Sequence, residues 1–246
     1  MKLNLFFISV VVGYMFWGTL SAMACTGITL KSQNGTAVVA RTIEWGGSNL
    51  NSQYVIVPRG YSEQSFTPDG QNGMVFIARY GYVGLAVEQK EFIAEGINEA
   101  GLSAGLFYFP HYGSLTKYKE KISKESVTDM QLVTWILSNF STVDEVKEGL
   151  KKIKVVNIGN DKNGLPLPTA HWRIADASGK NIVLEIINNG EVKIYDNEIG
   201  VLTNSPDYEW HLKNLNNYIN LYSGNAKDYT MNNHKIFSFG AGTGAL

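Results

Sequence analysis

Apolar residues in this chain recur in short alternating runs, and the signals that join the runs are those of tight reversals. Thr26 to Leu30 and Thr36 to Arg41 flank Asn34-Gly35, a pair that readily takes the left-handed conformations a two-residue hairpin needs. Glu91 to Ile97 and Leu102 to Tyr108 flank Asn98-Glu99-Ala100-Gly101, and Pro110 closes the second run because proline has no N–H to give a ladder. Further runs lie at Gln53 to Val57 and Gly73 to Ala78. Thr169 to Ala175, Asn181 to Ile187, Glu191 to Tyr195 and Ile199 to Thr203 follow, separated by Asp176-Ala177-Ser178-Gly179 and Asn189-Gly190, and read as one antiparallel meander.

Helical spacing appears in three places. Leu132, Ile136, Leu137 and Phe140 share a face, with Thr128 or Asp129 available as the cap. Thr142-x-x-Glu145 is a capping-box pattern that starts a second helix carrying Val143, Val146 and Leu150. A third runs from Asp207 to Leu221 with Tyr208, Leu212, Leu215 and Ile219 on one side, and residues 160–168 read as a loop. Antiparallel runs broken by a few helices give an α+β fold.

The first 24 residues read as an address rather than a fold. Lys2 precedes an apolar run from Leu5 to Leu20, and Ala22-x-Ala24 supplies the small side chains of a signal-peptidase site. The expectation is cleavage after Ala24, export to the periplasm or outside the cell, and no stable membrane anchor. The remaining residues, 25–246, fit one domain. With 44% hydrophobic and 12% aromatic residues the chain can pack a core, while a net charge of −1 offers no basic excess for nucleic acid.

The chain has one cysteine. Exported proteins use cysteines in pairs, and an unpaired thiol in an oxidising compartment is a liability that argues for a use. Cleavage after Ala24 would give Cys25 a free α-amine, whose ordinary pKa of about 8 lies near that of a thiol. Such a residue carries its own base: the amine takes the thiol proton and later passes it to a leaving amine. The strand pairing with that of Cys25 ends in Arg41-Thr42-Ile43-Glu44. There a guanidinium would favour thiolate and Glu44 would orient the amine, unless the two form an ordinary surface ion pair.

Four ordered motifs add to this reading: Cys25-Thr26-Gly27-Ile28-Thr29, Arg41-Thr42-Ile43-Glu44, Glu95 to Leu102, and Thr203-Asn204-Ser205-Pro206. Together they resemble the choloylglycine hydrolase and penicillin V acylase family over the whole of residues 25–246. The resemblance implies an αββα sandwich of two antiparallel sheets between helix layers, and hydrolysis of a linear carboxamide C–N bond without cofactor or metal. It implies Cys25 as nucleophile, Arg41 as the adjacent arginine, Glu44 in the place of an aspartate that contacts the α-amine, and Asn204 as side-chain donor to the oxyanion. Tyr108 falls where bile salt hydrolases carry asparagine and penicillin V acylases carry tyrosine, and its backbone N–H would be the second donor; its ring reads equally as core. Gly240 to Leu246 resembles a loop that in the family leads to further strands and another arginine, so the last strands are expected to be missing.

The expected substrate joins an apolar acyl group to a small polar amine, a conjugated bile acid ahead of penicillin V, and the aromatics at Phe76 to Tyr82 and Phe107 to Tyr112 would suit the acyl group. Two other readings stand beside it: a lipoprotein anchored through Cys25, against which Ala22-Met23-Ala24 argues, and a shortened, inactive relative. The four histidines, His111, His171, His211 and His234, lack metal-ligand spacing, and Gly240-x-Gly242 is followed by no helix that would make it a phosphate loop. Self-association is compatible with strand edges that need covering.

Overall fold

The computed structural model describes residues 25–33, 35–44, 49–159, 169–219 and 228–237. The leader, Asn34 of the first turn, residues 45–48, the 160–168 loop, residues 220–227 and the glycine-rich terminus lie outside the described residues; the third helix, expected to reach Leu221, stops at Leu215, and residues 216–219 form turns. In chain order the strands are β1 (Thr26–Lys31), β2 (Ala37–Thr42), β3 (Gln53–Val57), β4 (Ser62–Gln64), β5 (Val75–Ile77), β6 (Tyr82–Ala86), β7 (Ile93–Asn98) and β8 (Ser103–Tyr108). They continue with β9 (Ser126–Thr128), β10 (Lys154–Val156), β11 (Ala170–Ala175), β12 (Asn181–Ile187), β13 (Glu191–Asp196), β14 (Val201–Thr203), β15 (Tyr229–Met231) and β16 (His234–Ile236). The helices are α1 (Leu132–Asn139), α2 (Val143–Leu150) and α3 (Tyr208–Leu215).

Two antiparallel sheets carry the architecture. A seven-stranded sheet has the order β13-β12-β11-β8-β7-β6-β3, and a three-stranded sheet the order β14-β1-β2. α1 packs on β7 and β8, and Leu132, Ile136 and Leu137 join Leu102, Ala104, Trp172 and Leu184 in the main core. The opposite face of the large sheet meets the small one, with Phe107, Val183, Leu202 and Cys25 in a second cluster. α3 follows β14 and lies against it across an apolar cavity of about 240 Å³. The layers are therefore helix, sheet, sheet, helix.

Local chemistry explains the joints. The β7–β8 hairpin turns where expected, with Gly101 at φ +82° and the Asn98 carboxamide accepting from Ala100 N and Leu102 N while donating to Leu137 O and Phe140 O. Thr142 caps α2 by accepting from Glu145 N, and Glu145 reaches back to Ser141 N. The start of α1 differs from expectation: its cap position is Gln131, because a short 3₁₀ turn over Asp129–Gln131 intervenes. Gln131 Oε1 there accepts from Ser65 Oγ and Phe66 N.

The meander also needs correcting. β11, β12 and β13 pair in sequence, but β14 leaves that sheet and pairs with β1, Thr203 opposite Thr26. Strands in the sequence pattern look alike whichever sheet they join; the partner is set by tertiary packing.

Candidate active site

Cys25 immediately precedes β1, and its surroundings follow from register. Thr26 pairs with Thr42 of β2 on one side and Thr203 of β14 on the other. Continuing each ladder by one residue sets Cys25 between the Ile43–Glu44 segment and Asn204. The cysteine is 6% exposed, and its Sγ lies 3.8 Å from the Glu44 carbonyl oxygen. The Glu44 side chain is exposed, so what reaches the sulfur is its backbone. The α-amine expected at Cys25 depends on the leader, outside the described residues.

Arg41 sits opposite Gly27 and points between the sheets. Its Nη1 donates to Leu106 O at 2.6 Å and Ala94 O at 3.1 Å, its Nε to Thr42 O at 3.1 Å, and its guanidinium lies 4.1 Å from the Phe107 ring centre. Burial pulls Arg41 below its ordinary value, while Glu95 and the Cys25 thiol pull it back up. A guanidinium remains charged through such shifts, so Arg41 is a fixed cation beside the sulfur. Only a glycine fits opposite it: a Cβ at Gly27 would stand 2.5 Å from Phe107 Cζ and 3.2 Å from Arg173 Nη1.

Tyr108 and Asn204 meet directly. The Tyr108 N–H donates to Asn204 Oδ1 at 3.0 Å, and Ser205 N returns a bond to Tyr108 O at 3.0 Å. The backbone N–H expected to face an oxyanion thus holds the Asn204 amide instead, and Nδ2 is the donor atom on that side chain. The Tyr108 residue itself is half-buried.

Sequence reasoning missed what holds this turn. His171 Nε2 is 2.8 Å from Thr203 O, its Nδ1 is 3.3 Å from Glu185 Oε1, and its ring stacks on Phe109 at 4.3 Å. Nε2 donates to the carbonyl, and Nδ1 faces the Glu185 carboxyl. Burial works against the charged ring and holds His171 below the ordinary imidazole value. Glu185 Oε1 also accepts from Tyr208 N at 2.7 Å, and His211 Nε2 lies 2.8 Å from Asn204 O. Asp207 caps α3 by accepting from Trp210 N, and the Ser205–Pro206 peptide is cis. One ring nitrogen each from His171 and His211 holds the turn and the Glu185 carboxylate backs His171; His171 and Glu185 come from strands remote in sequence, and their burial is a signal that sequence does not display.

One expectation, that of aromatics around an acyl group, narrows here to Tyr80, Tyr108 and Tyr112, which are half-buried or exposed. Phe107 and Phe109 are wholly buried, and Phe76 and Tyr82 belong to the main core, so these aromatics fill the interior rather than line an acyl pocket. Strand alternation turns them inward, where a large apolar ring is worth most. Among the described residues, no group of three or more His, Cys, Asp and Glu side chains is placed to hold a metal ion, and no helix is long and apolar enough to cross a membrane.

Residues 25–246 match the model of the linear amide C–N hydrolases, choloylglycine hydrolase family. The chain is 32% identical over 224 residues to the bile salt hydrolase/transferase of Clostridium perfringens, covering 90% of this chain and 66% of that protein. A cysteine-to-alanine mutant of the conjugated bile acid hydrolase from C. perfringens superposes with a TM-score of 0.68 at 32% identity, over 90% of this chain and 66% of that one. Penicillin V acylase from Agrobacterium tumefaciens superposes with a TM-score of 0.65 at 25% identity, over 78% of this chain and 56% of that one. The chain thus spans just under two thirds of the C. perfringens protein's length. Ordered motifs, two facing antiparallel sheets and a match from Cys25 to Leu246 agree: the chain belongs to the choloylglycine hydrolase family of linear amide C–N hydrolases.

Proposed function

We propose that this protein hydrolyses a linear carboxamide C–N bond, deconjugating glycine- or taurine-conjugated bile acids, with Cys25 as the nucleophile. The observation that carries this reading is the register that seats the only cysteine between the segment following β2 and the Asn204 turn, with Arg41 two residues along the ladder. Export and cleavage after Ala24 would free the α-amine. That amine accepts the thiol proton, the sulfur attacks the carbonyl carbon, and Asn204 Nδ2 donates to the oxyanion that forms. Collapse breaks the C–N bond as the ammonium returns its proton to the leaving amine. Water then cleaves the thioester and regenerates the thiol. Arg41 stabilises the thiolate before attack and again when the thioester is cleaved, Tyr108 N–H aligns the Asn204 amide, and the Glu44 carboxylate would meet the amine.

A penicillin V acylase reading is favoured by one residue, Tyr108, together with the acylase structure that the chain resembles. Amine release from glyco- and tauro-conjugated bile acids and from penicillin V, measured on the exported protein, decides between them. Cys25→Ala is expected to abolish release. Equal release by wild type and variant would remove Cys25 from the chemistry. Mass spectrometry of the mature N-terminus tests the rest: a free Cys25 is expected, and a diacylglyceryl adduct would assign the cysteine to an anchor.

A further inference from the structure

Behind Arg41 lies a buried charge cluster that the reaction above does not use. Glu95 on β7 inserts its carboxylate over Gly105 of β8, where a Cβ would stand within 1.9 Å of Glu95 Oε2. Glu95 Oε1 accepts from Arg173 Nη2 at 2.6 Å, and Oε2, without a hydrogen bond, faces Arg41 Nη1 at 3.6 Å. Arg173 on β11 is fully buried and crosses to the small sheet, its Nη1 donating to Ile28 O at 2.9 Å and Ala40 O at 3.2 Å. Burial pushes the Glu95 carboxyl up, and the two arginines pull it back down.

The charges do not balance. Two guanidiniums and one carboxylate leave one positive charge in excess between the sheets, where an unbalanced charge is costly. Among the described residues, the charged or titratable groups facing this space are Arg41 from β2, Glu95 from β7, Arg173 from β11 and the Cys25 thiol at the head of β1, to which cleavage after Ala24 would add the α-amine of Cys25. His171 and Glu185, from β11 and β12, face the Asn204 turn. Against that excess a thiolate at Cys25 supplies a second negative charge on the Arg41 side, while the proton it gives up stays on the α-amine.

We propose that Arg173 is a positioning residue whose charge, passed through Glu95, keeps Arg41 uncompensated and so available to the Cys25 sulfur. Were Arg173 absent, Glu95 would neutralise Arg41 and the sulfur would lose its counter-charge. Were Glu95 neutral, two cations would face the sulfur. The two residues therefore act on the thiol in opposite directions, which a purely structural staple between the sheets would not do. The inference rests on the reading of Cys25 as a reacting thiol, and its test is independent of amide hydrolysis.

Cys25 is the only cysteine, so its alkylation by iodoacetamide, followed by intact mass across pH, reports one site. On the purified full-length protein as exported, Arg173→Met should move the alkylation midpoint up by about one pH unit, a tenfold slower reaction on the acid side. Glu95→Gln should move it down. Arg173→Lys keeps the charge but loses the fork to Ile28 O and Ala40 O, so it should melt earlier while holding the wild-type midpoint. If Arg173→Met fails to fold, Glu95→Gln and Arg173→Lys still decide. An unmoved midpoint in Glu95→Gln, a shift of the same sign in both neutral variants, or a raised midpoint in Arg173→Lys overturns the proposal. If the midpoints move as stated and no amide is cleaved, the charge relay stands and the reaction falls.

Discussion

Replacing Asn204 separates the bond its Oδ1 makes in the structure from the oxyanion-donor role proposed for its Nδ2. Asn204 is 7% exposed, and its Oδ1 accepts the Tyr108 N–H at 3.0 Å. In Asn204→Ala that N–H loses its partner inside the protein, which costs about 1–3 kcal/mol. For a chain of this size the melting temperature should fall by about 2–4 °C for each kcal/mol. The same substitution removes Nδ2 as an oxyanion donor, and one such donor is worth about 10²–10³ in kcat. Asn204→Asp keeps an acceptor for Tyr108 N–H but sets an acceptor where the donor stood. Its turnover at pH 8 should therefore be no higher than that of Asn204→Ala. The assays are amine release under saturating substrate and thermal melts followed by circular dichroism. Wild-type turnover in either variant would refute the donor role, and an unchanged melting temperature in Asn204→Ala would refute the bond to Tyr108.

Three further outcomes are expected. The wholly buried Asp129 carboxyl is pushed up to about 7 by burial, so the folded protein holds that proton to higher pH than the unfolded chain. Its contribution is complete below about pH 4 and is lost as pH rises to 7, roughly 4 kcal/mol at ~1.4 kcal/mol per unit. Asp129→Asn, melted at pH 5 and 8, should lose less stability between them than wild type; an equal loss would assign the trend elsewhere. His171 acts with the opposite sign: burial holds its folded value below the ordinary imidazole range, so stability present above about pH 6.5 is lost on acidification. His171→Gln should flatten melts between pH 7 and 5, and an unaltered acid slope would show that the ring is not titrating. Gly27→Ala puts a Cβ 2.5 Å from Phe107 Cζ, an overpacking cost of about 1–3 kcal/mol, and a melt within 1 °C of wild type would show that the sheets yield freely.

What the sequence revealed and what it hid follow from the range of the forces involved. The Cys25–Arg41 proximity was legible because a hairpin converts sequence spacing into distance: once β1 and β2 pair, Arg41 must oppose Gly27. The β7–β8 turn was legible for the same reason, since Asn98 and Gly101 satisfy the reversal with their own side chain and backbone. β14 was misplaced because three residues, Val201–Thr203, carry no record of which sheet will take them. Arg173 and Glu95 were illegible because they meet across 78 residues, and neither looks unusual in its own strand. The aromatics misled in the other direction: Phe107 and Phe109 look like a pocket when density is counted, and become core once alternation decides which way each ring points.

These two kinds of information divide the site itself. Cys25, Arg41 and Asn204 are brought together by ladders within the small sheet, and hydrogen-bonded register fixes them relative to one another. Tyr108, Glu95 and Arg173 belong to the large sheet and reach the first group only because the sheets face each other. The distance between the layers is set where Gly27 admits the edge of Phe107 and where Arg173 grips Ile28 O and Ala40 O. A change at that seam leaves every residue of the small sheet that carries Cys25 in register and still alters what they can do, because Arg41 would shift against Glu95 and Asn204 against Tyr108. Substitutions at Gly27 or Phe107 should therefore impair turnover by more than their loss of stability accounts for, whereas equally destabilising substitutions beneath α1, at Leu137 for example, should not. Matching the two sets for melting temperature and comparing kcat tests that division, and equal losses in both would mean the seam only holds the fold together.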